Sequence, residues 1–180
     1  MFTERFAAFV CPGDVITCQT EGFTVSARIL PDDCPDPPDQ RQDGFWPSLC
    51  KDAPGFIGEP DQELVQGTNS PANGGTFRVR LAKAHAEAEA IMAGWRQGEW
   101  FYCGVVLSVS LDGVELAPHA ASLWGIEANY PETDNSYLTE VAGNLLPEAL
   151  AAAREILARL AALAPAALAP AQKEPPDGPV

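Results

Sequence analysis

The chain has 180 residues, 11 Lys+Arg against 25 Asp+Glu, a net charge of −14 and 46% hydrophobic residues. That apolar fraction excludes a wholly disordered acidic chain, and the length suits one domain able to bury its own core. The charge argues against direct nucleic-acid binding, which needs clustered Lys and Arg.

Taken in chain order, Met1-Phe2-Thr3-Glu4-Arg5 lacks the basic start and apolar stretch of a secretory leader. No apolar run is long enough to span a bilayer, so a cytoplasmic location and no membrane partner are expected. Residues 14–29 read as a β-hairpin. Phe23, Val25, Ala27 and Ile29 alternate with Thr24, Ser26 and Arg28, and Glu21-Gly22 is the turn. Residues 31–75 are punctuated by Pro and Gly and read as a long irregular excursion, with Phe45, Trp46, Phe56 and Ile57 packing back onto the core.

Residues 76–97 read as a helix with the stripe Phe77, Leu81, Ala84, Ala88, Ile91 and Trp95. Thr76 is the expected N-cap and Gly98 the stop. Residues 100–117 read as a second hairpin. Phe101, Cys103, Val105, Leu107 and Val109 form one set, Trp100, Tyr102, Gly104 and Val106 the other, and Asp112-Gly113 is the turn. Residues 122–128 fit another strand. Residues 136–163 read as helix, with Ser136 as N-cap and Pro147 fitting the first turn of a further helix. Residues 164–180 read as a disordered Ala/Pro tail. The expected fold is α+β: a single domain over 1–163, whose antiparallel sheet of two hairpins is packed on one face by two or three helices.

Chemistry-bearing residues are sparse. The five cysteines (Cys11, Cys18, Cys34, Cys50, Cys103) are odd in number and form no Cys-x-x-Cys, so reduced thiols are expected. His119 and Ser122 lack a nucleophile elbow, and a loop histidine is the simpler reading. Cys103 on an apolar strand face reads as a small hydrophobe. Asn73-Gly74-Gly75-Thr76 precedes a helix but lacks the P-loop lysine. No catalytic residue, cofactor or metal is therefore assigned.

The charge pattern is more informative. Asp32, Asp33, Asp36, Asp39 and Asp43 form the densest acidic run, without the ligand order of an EF-hand. Residues 98–153 hold eight acids, Glu127, Glu132 and Asp134 among them, and no Lys or Arg. Such a segment cannot pair its carboxylates internally and makes a negative field. Solubility alone is the competing explanation. Trp100, Tyr102, Trp124 and Tyr130 lie in the same segment and add anchors for an interface. Sheet packing accounts for Trp124 better than for Trp100. The partner-binding residues expected from this pattern are Asp32, Asp33, Asp36, Asp39, Asp43, Glu127, Glu132 and Asp134.

Trp100–Ser110, His119–Pro131, Asp134–Val141 and Leu145–Leu150, with Pro12–Ile16 and Gly22–Val25, resemble a family of small acidic proteins encoded by bacteriophages and mobile elements of proteobacteria. The resemblance spans roughly residues 10–29 and 95–160, and residues 31–94 depart from it. It brings no catalytic residues. It implies a cytoplasmic accessory protein of a mobile element. Together with the base-free acidic segment, it leads to the expectation of a non-enzymatic protein that binds a host protein with a basic surface, in its sharpest form an inhibitor of anti-CRISPR or anti-restriction type. A small enzyme and a self-assembling homodimer are the alternatives.

Overall fold

A computed structural model describes residues 1–33, 36–57 and 77–163. The Thr76 cap, the Asn73-Gly74-Gly75 turn, Cys34 and the tail at 164–180 lie outside the described residues, as does much of the 31–75 excursion.

Two hairpins form a four-stranded antiparallel sheet in the order β1-β2-β3-β4. They are β1 (Val15–Thr20) with β2 (Phe23–Pro31), and β3 (Phe101–Leu111) with β4 (Val114–Ala128). Both turns are two residues long with both φ values positive: 54° and 84° at Glu21-Gly22, 49° and 81° at Asp112-Gly113. That is the left-handed pair a type I′ turn requires, and its twist matches the flanking strands. Thr24 pairs with Ser110, so both turns lie at the same end of the sheet. The opposite end gathers Pro31, Cys103 and Ile126 in register.

Three helices complete the α+β fold: α1 (Pro38–Arg41), α2 (Phe77–Gln97) and α3 (Ser136–Leu163). Phe23, Val25, Ala27 and Ile29 of β2 and Cys103, Val105, Leu107 and Val109 of β3 meet Leu138, Ala142, Leu146, Ala149, Leu150 and Ala153 of α3 in one core. Small residues at 142, 149 and 153 let the helix approach closely. Helix α2 meets the sheet region through Trp100, whose indole donates to the Ile91 carbonyl at 2.9 Å and lies against Gly94. Of its expected stripe, Ala88 is buried and Leu81, Ala84, Ile91 and Trp95 are half-buried, with Met92 added as a fully buried member, and the Phe77 side chain lies outside the described residues. Gly98 takes φ +72°. Its N–H reaches the Trp95 carbonyl and Glu99 N–H the Gly94 carbonyl, a Schellman stop at the expected glycine.

Four details differ from the sequence reading. Tyr102, Gly104 and Val106 are buried as well as their odd-numbered neighbours, so β3 is covered on both faces. β4 is one strand of 15 residues. Register shifts at Gly104, at Ser108 and between Val109 and Ser110 absorb the extra residues that look like a break between two strands. Helix α3 runs through Pro147 without stopping. The proline removes one N–H and crowds the carbonyl four residues back, which belongs to Gly143. Nothing crowds that glycine, Pro147 is exposed, and buried Leu146 and Leu150 on either side hold the helix down. Ser136 is not the cap either: it is the first helical residue, its N–H bonded at 3.0 Å to the Asp134 carboxylate.

The N-terminal stretch, unassigned from sequence, is part of the core through Phe2, Phe6 and Val10. Side chains rather than a regular element hold its backbone. Phe6 N–H donates to Thr139 Oγ1, Val10 N–H donates to Asn129 Oδ1, and the Val10 carbonyl accepts from Asn129 Nδ2. Glu4 accepts the Thr17 N–H at 3.1 Å and so occupies part of the β1 edge.

Candidate functional site

The sheet topology decides where the acids go. β2 ends at Pro31 and β4 at Ala128, on the same end of the sheet. The segments that follow, 32–43 and 129–135, carry seven of the eight expected partner-binding acids, and Glu127 is the eighth. Two runs far apart in the chain thus converge. Gln42 Nε2 donates to Glu127 Oε1 at 3.2 Å and joins them directly.

Half of those acids also serve the fold. Asp32 donates its N–H to the Tyr102 carbonyl at 2.9 Å and pairs with Arg41 at 3.4 Å. Asp39 accepts the Trp46 indole N–H at 3.2 Å, Glu127 accepts Gln42, and Asp134 holds the start of α3. The Ser136 bonds, with a lesser contribution from Arg5, hold the Asp134 carboxyl below its ordinary range. Asp33, Asp36, Asp43 and Glu132 are exposed, and Asp36 too has an interaction within the chain.

Aromatic rings floor this acidic end. Trp100 is 1% exposed and packs edge-on to Tyr102 at 5.3 Å and to Tyr130 at 5.0 Å. The Arg41 guanidinium lies 4.0 Å from the Tyr102 ring centre. Gly125 makes room for it: a Cβ there would sit 2.8 Å from Arg41 Nη2, and φ is +77°. Trp124 reverses the expectation, being 45% exposed where Trp100 is buried. Its indole lies over Gly104, where a Cβ would come within 2.4 Å of the ring, and its Nε1 donates to Ser122 Oγ. Arg41, Gln42, Thr133 and Tyr137 are not among the site residues expected from the sequence. Nothing local marks Arg41 as the residue that stacks on Tyr102.

Gln42, Glu127, Tyr130, Thr133 and Tyr137 line a pocket of about 350 Å³ at this end. The Tyr137 hydroxyl donates to the Glu127 carbonyl. No protein family model, curated protein or solved structure matches this chain.

The remaining candidates are placed as follows. Cys103 is fully buried, and its thiol is pushed up to about 12 by burial, then by the charges of Asp32 and Glu127. A thiol held protonated in this way is a core hydrophobe, not an activated nucleophile. His119 is exposed on β4, and Ser122 Oγ is engaged by Trp124. Among the described residues no three His, Cys, Asp or Glu side chains are grouped to hold a metal ion. No described helix is long and apolar enough to cross a membrane.

One pH dependence follows. Burial also raises Cys18, Tyr102, Tyr130 and Tyr137, the three tyrosines with a further push from Glu127. Each group holds its proton more tightly folded than unfolded, so its contribution is complete below the unfolded pKa and is lost as pH rises. With an ordinary thiol value of 9.0 and a folded Cys103 value of about 12, the loss falls between those limits. The urea midpoint is expected to stay level from neutral pH to about 8.5 and then fall continuously. A midpoint that rises above pH 9 contradicts the assignment of these groups as buried and neutral.

Proposed function

We propose that this chain is a non-enzymatic binding protein whose acidic, aromatic end engages a basic surface on a partner protein. The observation that carries the reading is the convergence of two acidic segments at one end of the sheet, joined by Gln42 and Glu127. Arg41 is committed to Asp32 there, which leaves Asp33, Asp43 and Glu132 exposed for a partner. A concentrated field of one sign steers an oppositely charged partner and sets the salt dependence of its association. Tyr130 beside the carboxylates supplies the kind of residue that anchors interfaces.

The resemblance to small acidic proteins of phages and mobile elements supports a sharper version. In it the partner is a nucleic-acid-handling protein of a bacterial host, such as a defence complex, whose basic groove the acidic end occupies in the cytoplasm. Carboxylates spaced on a rigid scaffold compete for the Lys and Arg that otherwise neutralise phosphates.

The test is a triple substitution of exposed acids that hold nothing in place, Asp33→Lys, Asp43→Lys and Glu132→Lys. Tagged wild type and variant are used as bait in lysate from a proteobacterial host, washed at graded salt. A nucleic-acid-handling partner held by wild type at low salt and lost at high salt is the expected result. The variant should associate with it about tenfold more slowly, with a flatter salt dependence. Equal capture by both proteins at every salt concentration removes the acidic end as the binding surface.

A further inference from the structure

The pocket lined by Gln42, Glu127, Tyr130, Thr133 and Tyr137 has the composition of a cation-binding site. A carboxylate oxygen, Glu127 Oε1, is fixed by the 3.2 Å bond from Gln42. That bond leaves the second carboxylate oxygen, Oε2, and part of the charge uncompensated, because Gln42 is neutral. Tyr130 is held by its edge-on contact with Trp100. Tyr137 is fixed by its hydroxyl bond to the Glu127 carbonyl. The aromatic rings are therefore pre-positioned beside an anion. Rings carry a negative quadrupole on their faces, and with a carboxylate they select organic cations over apolar or anionic groups.

The molecule contains an internal example of the same chemistry next door. Arg41 lies over the Tyr102 ring at 4.0 Å and pairs with Asp32 at 3.4 Å. Glu127 faces Tyr102 as well, since the two are cross-strand partners. One guanidinium, one ring and one carboxylate are thus already combined within the chain, and the neighbouring pocket repeats the ring and the carboxylate without a cation of its own among its lining residues. Its volume of about 350 Å³ accommodates the end of a long side chain.

We infer that this pocket receives a single lysine ammonium or arginine guanidinium from the partner, inserted between Glu127 and the rings of Tyr130 and Tyr137. The inference rests on the proposed binding of a basic partner and assigns it an anchor point. Arg41 and Asp32 then form a fixed wall beside the site, and the exposed acids Asp33, Asp43 and Glu132 provide the longer-range attraction.

The experiment uses the full chain and three synthetic heptapeptides that differ only at the central residue: Lys, Arg or the uncharged norleucine. Binding is read by titration with 15N-labelled protein, following the Gln42 side-chain amide and the Thr133 and Tyr130 backbone amides. The Lys or the Arg peptide is expected to shift these signals in a saturable way, and the norleucine peptide is not. Whichever cation binds more tightly identifies the partner side chain. Glu127→Gln, which preserves size and the Gln42 bond, should weaken binding about tenfold. Tyr130→Leu should weaken it about fivefold and Tyr130→Phe should restore it, because the ring and not the hydroxyl makes the contact. Shifts caused equally by all three peptides, or no shifts by any, overturn the pocket. The charge-reversed triple variant distinguishes the two proposals. Loss of lysate partner binding in that variant, with no peptide signal at the pocket, leaves the acidic end standing and removes only the anchor.

Discussion

Asn135→Ala is expected to destabilise the protein by about 4 kcal/mol, lowering the melting temperature by roughly 10 °C. Asn135 is the one polar residue wholly buried among the described residues. Its Oδ1 accepts the Asn129 N–H at 2.9 Å, and its Nδ2 donates to the Ala8 carbonyl at 2.8 Å and to Asn129 Oδ1 at 2.9 Å. Asn129 in turn holds both the N–H and the carbonyl of Val10. Alanine leaves the Asn129 N–H and the Ala8 carbonyl without their side-chain partner in a part-buried site, at about 1–3 kcal/mol each. It must also adopt φ +58°, which costs about 1 kcal/mol more for a residue that cannot bond locally. Asn135→Gly should recover that last increment and nothing else. Urea unfolding of the two variants separates the contributions. A loss below about 1 kcal/mol for both would mean the network is replaced by water at no cost. These amides and the Phe6–Thr139 bond join the N-terminal stretch, the 129–135 turn and the start of α3, so the variant should also loosen the packing of Phe6 and Val10.

Trp100→Ala is expected to cost a similar 3–5 kcal/mol, with an added consequence for the binding end. The indole is the largest side chain buried to this extent. It ties the C-terminal turns of α2 to β3 through the Ile91 carbonyl, and its ring contacts hold Tyr102 and Tyr130. Removing it opens a cavity beneath the acidic end. The amides of α2 should then exchange with solvent well before those of β3 and α3. Peptide binding at the Glu127–Tyr130 pocket should fall with it, since Tyr130 loses the ring that positions it. Trp100→Phe keeps a ring and loses only the indole bond, so it should fall between wild type and alanine in both measurements. Protection of α2 that is unchanged in Trp100→Ala would show that α2 is held by its other contacts, Ala88 and Met92 among them.

These two residues mark the boundary between what local pattern reveals and what it does not. Both hairpins were legible because a two-residue turn demands positive φ, and Glu21-Gly22 and Asp112-Gly113 are short-range signals of it. The α2 stripe was legible because burial of one helix face leaves a 3.6-residue period. Pro147 misled because its cost is local and its compensation is not: Leu146 and Leu150 are fastened by a sheet far away in sequence. Trp100 and Trp124 exchanged expected roles for the same reason. A pattern places a tryptophan on or beside a strand, but whether a side chain is covered depends on how the elements fold back: α2 folds back over Trp100, and Trp124 stays half exposed.

The acidic character of the chain and its α+β class were therefore determined by the sequence alone, since charge is additive over residues and periodicity is a property of neighbours. Which acids hold the fold and which remain available was decided only by tertiary structure. Asp32, Asp39, Glu127 and Asp134 look like Asp33, Asp43 and Glu132 until Arg41, Trp46, Gln42 and the Ser136 amide are brought to them. The meeting of residues 32–43 with 127–134 is likewise a product of strand order. Antiparallel pairing returns the ends of β2 and β4 to the same side of the sheet, and no feature of either segment by itself specifies its counterpart.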